Sequence, residues 1–297
     1  MDLENLRAFV KVAELGSFTR AGAHLGRSKA NVSLAVKALE AAVGSRLLQR
    51  TTRAVRLTAD GEQFLVRARR LVLDAAELES MFQAPSTLRG AVRLDLPVTF
   101  ARNLIIPRLP EFLALHPELE VLLSTTDRRV DVVREGFDCV LRIGALADSG
   151  LVARRLGVLP MVNCASPAYL HKHGTPRSLG ELAQHRIVHY SLAFGVDAPS
   201  FEYRDGQRYR ELPMASVVTV NSADSYLAAC IAGLGIIQAP RTGMLPSLAS
   251  GALVEVLPGF TCQPMPVSLV HAHGRNVPKR VRAAMSWLSQ LMEPHLE

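Results

Sequence analysis

Apolar residues in the first sixty positions recur at helical spacing. Leu6, Phe9, Val10 and Ala13 predict a helix over 3–15, with Gly16 as its stop. Ser17 or Thr19 is placed to cap a short second helix, TRAGAHL, ending at Gly26. Ser28 caps a third, KANVSLAVKALEAAV, closed by Gly44. Three short helices with a glycine-containing turn between the second and third form a helix-turn-helix pattern. In the third helix Val32, Val36 and Leu39 share one narrow arc and must pack inward. Lys29, Ala30, Ser33, Leu34 and Lys37 point the other way, where such a helix meets base edges. LLQRTTRAVRLT then reads as two short strands about a tight turn, with Arg50, Arg53 and Arg56 on or beside it. A basic hairpin after a helix-turn-helix is a wing. Its arginines suit phosphates, and Arg53 at the tip suits a minor groove.

A long helix follows from Thr58, with Asp60 and Glu62 in its first turn. Phe64, Ala68, Leu71, Ala75, Leu78 and Phe82 form a heptad seam along it, which predicts pairing with a second copy of the chain. Pro85 and the segment PSTLRG end the helix as a hinge. From residue 91 strand-like runs (AVRLDLPV, LEVLLST, DCVLRIG, VLPMVNCA, ASVVTV, LGIIQAP, VSLVHA) alternate with helix-like ones (RNLIIPRLPEFLALH, VDVVREG, SPAYLHKHG, SADSYLAACIAG, PKRVRAAMSWLSQLM). This predicts an α/β body with a largely parallel sheet, large enough for two lobes around a cleft. The expected domains are 1–58 (winged helix-turn-helix), 59–87 (linker and dimerisation helix with hinge) and 88–297 (ligand-binding body). Within the body, lobe 1 spans about 91–161 and 267–292, and lobe 2 about 162–266.

Composition sharpens this picture. The 297 residues are 48% apolar and 21% charged, as in an ordinary globular chain of about two domains. The net charge of +7 is uneven: residues 1–57 hold ten Lys/Arg against four Asp/Glu, whereas 88–297 hold 21 against 18. A basic head on a near-neutral body points to a polyanion partner. The opening segment MDLENLRAFVKVAELG has no apolar export core and no stretch is long enough for a membrane span, so a cytoplasmic location without a membrane partner is expected. Cys139, Cys164, Cys230 and Cys262 form no CxxC pair and do not cluster with the nine histidines. Free buried thiols are expected, with neither metal nor cofactor. No nucleophile elbow, GxGxxG after a strand, GxxxxGK[ST] or HExxH occurs, so an enzyme is not expected. Asp127 and Asp131 read as helix-cap and surface residues. The turn Pro97-Val98-Thr99-Phe100 opens a helix whose free N–H groups, with the Thr99 hydroxyl, suit a carboxylate.

In its residues the chain resembles the LysR-type transcriptional regulators. The resemblance is carried by Gly16-Ser17-Phe18, then by Ser28, Val32, Ser33, Val36, Leu39 and Glu40, and by Gly44, Leu47, Leu48, Arg50, Arg53, Leu57 and Thr58. VDVVREGFDCVLRIG, CASPAYL and AGLGI in the body match one branch of the same family. The resemblance implies a winged helix-turn-helix head, a long linker helix and a two-lobed body similar to the periplasmic binding-protein fold. It further implies a sequence-specific DNA-binding regulator controlled by a small-molecule effector in the cleft. DNA contacts then fall to Ser28, Lys29, Ala30, Asn31, Ser33, Leu34, Lys37, Arg50, Arg53 and Arg56. Effector contacts fall to the Thr99–Phe100 turn, Ser124-Thr125-Thr126, Arg142-Ile143-Gly144 and Asn221-Ser222. The implied partners are double-stranded promoter or operator DNA, an effector of unspecified identity, a second copy in a homodimer or homotetramer, and RNA polymerase. Lys29, Asn31 and Leu34 depart from residues frequent at these positions, which bears on the DNA sequence preferred. Two readings stand beside this one: an architectural DNA-binding protein without an effector, and a solute-binding module without a regulatory role.

Overall fold

The computed structural model describes residues 2–50, 55–80, 88–146, 150–274 and 277–297. The head begins with helices α1 (Leu3–Leu15), α2 (Phe18–Leu25) and α3 (Lys29–Val43). Asp2, Ser17 and Ser28 cap them, their side chains accepting from the backbone N–H groups of Glu4, Arg20 and Asn31. Gly16, Gly26 and Gly44 end them in the left-handed conformation, at φ 60°, 64° and 73°. Strands β1 (Leu48–Arg50) and β2 (Val55–Leu57) pair antiparallel, with Leu48 opposite Leu57 and Gln49 opposite Arg56. Their connection, which holds Arg53, lies outside the described residues. Phe9, Val32, Val36, Leu39 and Leu47 are fully buried at the centre of this unit. Each such side chain contributes on the order of 1.5–3 kcal/mol through burial.

Helix α4 (Ala59–Ser80) starts where the Thr58 hydroxyl accepts from the Gly61 N–H at 2.9 Å. The seam expected to pair two copies divides in use. Phe64 sets its ring edge-on to Phe9 at 5.6 Å, and Ala68 is buried in the head's own core beside Leu65. Phe64 and Ala68 thus take part in packing within the chain. They lie in the turns of α4 that run against α1, so the head claims them first. Leu71 and Leu78 further along are 48% and 64% exposed, and Ala75 is half-buried. Phe82 and Pro85 lie outside the described residues.

The body is built on two sheets. Its strands are β3 (Gly90–Leu96), β4 (Leu119–Thr125), β5 (Cys139–Ile143), β6 (Val152–Leu159), β7 (Met161–Ala165), β8 (His189–Tyr190), β9 (Ser200–Asp205), β10 (Arg208–Pro213), β11 (Thr219–Val220), β12 (Ile237–Pro240), β13 (Val254–Glu255) and β14 (Met265–His271). A helical run, Val98–Phe100, π-helical Ala101–Ile105 and Ile106–Leu115, is taken together as α5. Later helices are α6 (Pro167–His173), α7 (Ala223–Ile231), α8 (Arg241–Ala249) and α9 (Lys279–Met292). The first sheet has the order β4-β3-β5-β14-β6, and α5 and α9 supply Ile105, Phe112, Val281 and Leu288 to its core. Trp287 stacks on Phe112 with ring centroids 4.8 Å apart. The second sheet has the order β12-β7-β13, with Tyr226 and Cys230 of α7 and Met244 of α8 in its core. β9 and β10 form a hairpin, and β8 pairs in parallel with β11.

Three expectations about the body are corrected. The sheets are mixed rather than largely parallel: β3 is parallel to β4 and β5, but β14 runs antiparallel to both its neighbours, and β7 is antiparallel to β12 and β13. The long return of the chain from the second sheet inserts β14 reversed into the first. VDVVREG forms a single turn and not a helix. The Asp131 carboxylate takes the N–H groups of Val133 and Arg134, the Glu135 carboxylate takes that of Asp131, and Gly136 turns the chain at φ 72°. The run VLPMVNCA is split at Pro160: β6 ends at Leu159 in the first sheet and β7 begins at Met161 in the second. Among the described residues no helix is long and apolar enough to cross a membrane, and no cluster of three or more His, Cys, Asp or Glu could hold a metal. All four cysteines are buried free thiols.

Candidate nucleic-acid interface and ligand cleft

Helix α3 presents two faces. Val32, Ala35, Val36 and Leu39 are buried, while Lys29, Ala30, Asn31, Leu34 and Lys37 are exposed and Ser33 is half-buried. Leu34 is 64% exposed, a large apolar side chain held in water beside Lys29, Asn31 and Lys37. Ser28 is committed as the cap, accepting from the Asn31 N–H at 3.1 Å. Lys37, Glu40, Gly44, Ser45, Arg46 and Gln49 line an open groove between the end of α3 and the base of the hairpin. Among the described residues Lys29, Lys37 and Arg56 make no ion pair, which leaves three cations available to phosphate. Arg27, by contrast, is paired with Glu4 of α1. The strand that contains Arg50 is in place, and Arg53 lies outside the described residues.

One side chain fixes the hairpin to α3. Glu40 Oε1 accepts from the N–H groups of both Leu47 and Leu48, at 2.9 and 3.0 Å. Thr58 then ties the far strand back, its N–H donating to the Leu47 carbonyl at 3.0 Å and its hydroxyl to the Arg46 carbonyl at 2.7 Å. Sequence reading noted Glu40 only as part of a motif, because its acceptor role depends on residues seven and eight positions later.

In the body, the Pro97–Thr99 turn at the end of β3 faces the start of α7. Between them stands Asp127, just beyond β4. The Val98 N–H donates to Asp127 Oδ1 at 3.2 Å, and the Ala223 N–H donates to Asp127 Oδ2 at 2.7 Å. One carboxylate thus caps both the start of α5 and the start of α7. Arg102 of α5 pairs with Asp224 of α7 at 3.0 Å, a second link between lobes. Thr99 is buried, and a β-carbon on Gly243 of α8 would stand 3.3 Å from its methyl, so the two elements approach closely there. Tyr190 lies near Asp127. Burial and that charge push its phenol up to about 12. Its ring meets Tyr226 edge-on at 5.4 Å.

The expected effector residues divide accordingly. Thr99, Ser222 and Asn221 border this junction, Ser222 as the cap whose hydroxyl accepts from the Ser225 N–H at 3.2 Å. Thr125 is exposed as the last residue of β4, paired in register with Leu96. Phe100 is 5% exposed in the core of the first sheet, where the inward side of α5's first turn requires an apolar group. Arg142 holds backbone, its guanidinium donating to the carbonyls of Arg128 at 2.9 Å and Val130 at 3.4 Å. Asp127, Tyr190, Arg102 and Asp224 were missed. Asp127 did read as a helix cap, but nothing local shows that a helix 96 positions later shares it.

Comparison with known proteins gives concordant matches. The model of the bacterial regulatory helix-turn-helix protein, lysR family, matches residues 3–62, and that of the LysR substrate binding domain matches residues 85–293. An uncharacterized HTH-type transcriptional regulator of Escherichia coli is 44% identical over 98% of both chains. An HTH-type transcriptional repressor of Pseudomonas aeruginosa is 34% identical over 99% of this chain and 93% of its own. The structure of CrgA, a LysR-type transcriptional regulator from Neisseria meningitidis, aligns with a TM-score of 0.61 at 30% identity, covering 98% of each chain.

Proposed function

The chain belongs to the LysR family of bacterial transcriptional regulators, with a DNA-binding helix-turn-helix and an effector-binding domain, and from that premise we propose how its residues divide the work. Helix α3 lies in the major groove. Ser33, Lys29, Ala30, Asn31 and Leu34 face base edges, Leu34 suiting a thymine methyl, while Lys37, Arg50, Arg53 and Arg56 hold phosphates. Two copies pair through Leu71, Ala75, Leu78 and Phe82, so that two heads meet two half-sites.

The effector is a small molecule that enters between the lobes, next to Thr99, Asn221 and Ser222. It acts by shifting the population between two lobe arrangements, which changes the spacing of the paired heads. Transcription responds through the geometry of bound DNA and contact with RNA polymerase in the cytoplasm. No catalytic role is assigned to any residue.

The observation that carries the DNA half is the exposed α3 face of Lys29, Ala30, Leu34 and Lys37, set beside a hairpin pinned by Glu40. Footprinting of the purified protein on its own upstream region is the test. Two protected major-groove segments about one helical turn apart are expected, and absence of protection at low salt overturns the reading. A ligand-induced rise in the melting temperature of the body separates it from an architectural DNA-binding protein.

A further inference from the structure

We propose that Gly61, a buried residue in the first turn of α4, determines how far apart the two half-sites of the operator must lie. The statement rests on the pairing of two heads proposed above; the joint that Gly61 makes does not. Leu47, between α3 and β1, is held from three sides. Its N–H donates to Glu40 of α3 at 2.9 Å, its carbonyl accepts from the Thr58 N–H at 3.0 Å, and its side chain is buried in the head's core. The first turn of α4 lies against that same carbonyl. A β-carbon on Gly61 would stand 2.0 Å from the Leu47 oxygen and 2.9 Å from the carbonyl carbon. Two side-chain bonds bracket the contact: the Ser45 hydroxyl donates to the Asp60 carboxylate at 2.5 Å, and the Thr58 hydroxyl to the Arg46 carbonyl at 2.7 Å. The long helix is thus seated on the very backbone that Glu40 fixes to the DNA-reading helix. Glycine inside a helix is unfavourable relative to alanine, and Gly61 is not among the glycines at positive φ. Close approach to Leu47 is what calls for it.

The consequence is a lever. A methyl at position 61 needs at least about 1 Å more room to reach van der Waals contact. Leu47 cannot retreat without breaking its bonds to Glu40 and Thr58, so α4 must move instead. Its next buried anchor is Ala68, seven residues or roughly 10 Å further along. A shift of about 1 Å over that length is a tilt of about 5°. Carried along the 22 residues of α4, about 33 Å, it displaces one end against the other by about 3 Å. That is close to one base-pair step, about 3.4 Å when a helical turn of DNA holds about ten. Two-fold pairing applies the tilt to both heads, so the preferred spacing changes by about one or two base pairs.

Binding of the full-length chain to a set of duplexes tests this. Each duplex carries the two segments protected in the chain's own upstream region, with the spacer shortened or lengthened by up to about two base pairs. A further duplex carries one segment alone. Unaltered protein is expected to bind best at the native spacing. Gly61→Ala is expected to bind best about one or two base pairs away, and about fivefold less well at the native spacing, because both heads no longer engage together. Its affinity for the single segment is expected to stay within about twofold. A head that is merely destabilised loses on both kinds of duplex alike. An optimum left at the native spacing, or an equal loss on the single segment, overturns the proposal. No spacing optimum in the unaltered protein overturns the pairing reading and the proposal with it. If Gly61→Ala does not fold, Ser45→Ala with Asp60→Ala loosens the same joint without a clash. Discrimination between the native spacing and its neighbours is then expected to fall about threefold. Discrimination as sharp as in the unaltered protein overturns it.

Discussion

Gly22 and Arg27 meet backbone to backbone across the turn between α2 and α3. The Arg27 N–H donates to the Gly22 carbonyl at 2.8 Å, and a β-carbon on Gly22 would stand 2.6 Å from the Arg27 carbonyl oxygen. Neither atom belongs to a flexible side chain, so the turn itself would have to open. Gly22→Ala is expected to cost about 1–3 kcal/mol by overpacking and to weaken operator binding more than the melting shift alone explains, because α3 is displaced. Gly26→Ala meets nothing nearby and loses only on its left-handed backbone, about 1–2 kcal/mol. Thermal melting with operator titration checks both. Equal operator affinity for Gly22→Ala and the unaltered protein counts against the turn as what aims α3.

The exposed α3 face leads to a separable pair of effects on DNA. Lys37→Ala should weaken binding to all sequences alike and lower the salt slope by about one unit, as for one lost phosphate contact. Lys29→Ala or Ser33→Ala should change which sequence is preferred, by about 1–3 kcal/mol per base contact. Titrations over several salt concentrations on matched and mismatched sites tell the two apart. A uniform loss for the Ser33 variant would remove its base-reading role.

How α4 is shared between head and partner gives a contrast along one seam. Leu71→Glu with Leu78→Glu changes only exposed positions and should shift the protein towards monomer at micromolar concentration while the melting of each head holds. Phe64→Ala removes the ring packed on Phe9 and should lower head stability by about 2–4 kcal/mol, leaving assembly intact. Sedimentation velocity and calorimetry together read both. Monomerisation by Phe64→Ala at full stability would reverse the assignment.

Which features could be read from sequence follows from how local their causes are. Ser17, Ser28 and Thr58 cap helices by reaching three residues ahead, and Gly16, Gly26 and Gly44 end them by their own φ, so these ends were legible, the start of α2 as a choice between Ser17 and Thr19. VDVVREG has helical spacing, and Asp131 even caps the amides of a first turn, but Gly136 turns the chain away at φ 72° after that single turn. The reversed β14 depends on a chain return of over a hundred residues, which no periodicity records. Asp127 is the sharpest case: Val98 lies 29 positions before it and Ala223 lies 96 after, and only the fold brings all three together.

The cysteines should be inert in the folded chain. Burial pushes the thiols of Cys139, Cys164, Cys230 and Cys262 each up to about 12, so almost no thiolate is present at neutral pH. Iodoacetamide labelling at pH 7.5 should be negligible in native protein and reach four groups per chain in denaturant. Rapid labelling of any native cysteine would show a more open body.

Acid should weaken the body, and two histidines set the sign. His271, the last residue of β14, is 4% exposed, and its pKa is lowered first by burial and then by His273, whose ring stacks 6.0 Å away with Asp138 beyond it. The pKa of His185 is lowered by burial and by His173, with Glu181 opposing, and its Nδ1 lies 3.2 Å from the Tyr169 hydroxyl. Each takes up its proton more readily when the chain is unfolded, near the usual value of about 6.5. The unfolded state therefore binds more protons below that pH, and the stability held above it is lost as pH falls towards the lower native values. Denaturant melts of the body should show a decline from pH 7 to 5. In His271→Asn with His185→Gln the decline should flatten, with lower stability at pH 7 because buried packing is altered. A slope as steep in the double variant as in the unaltered chain would place the acid sensitivity elsewhere.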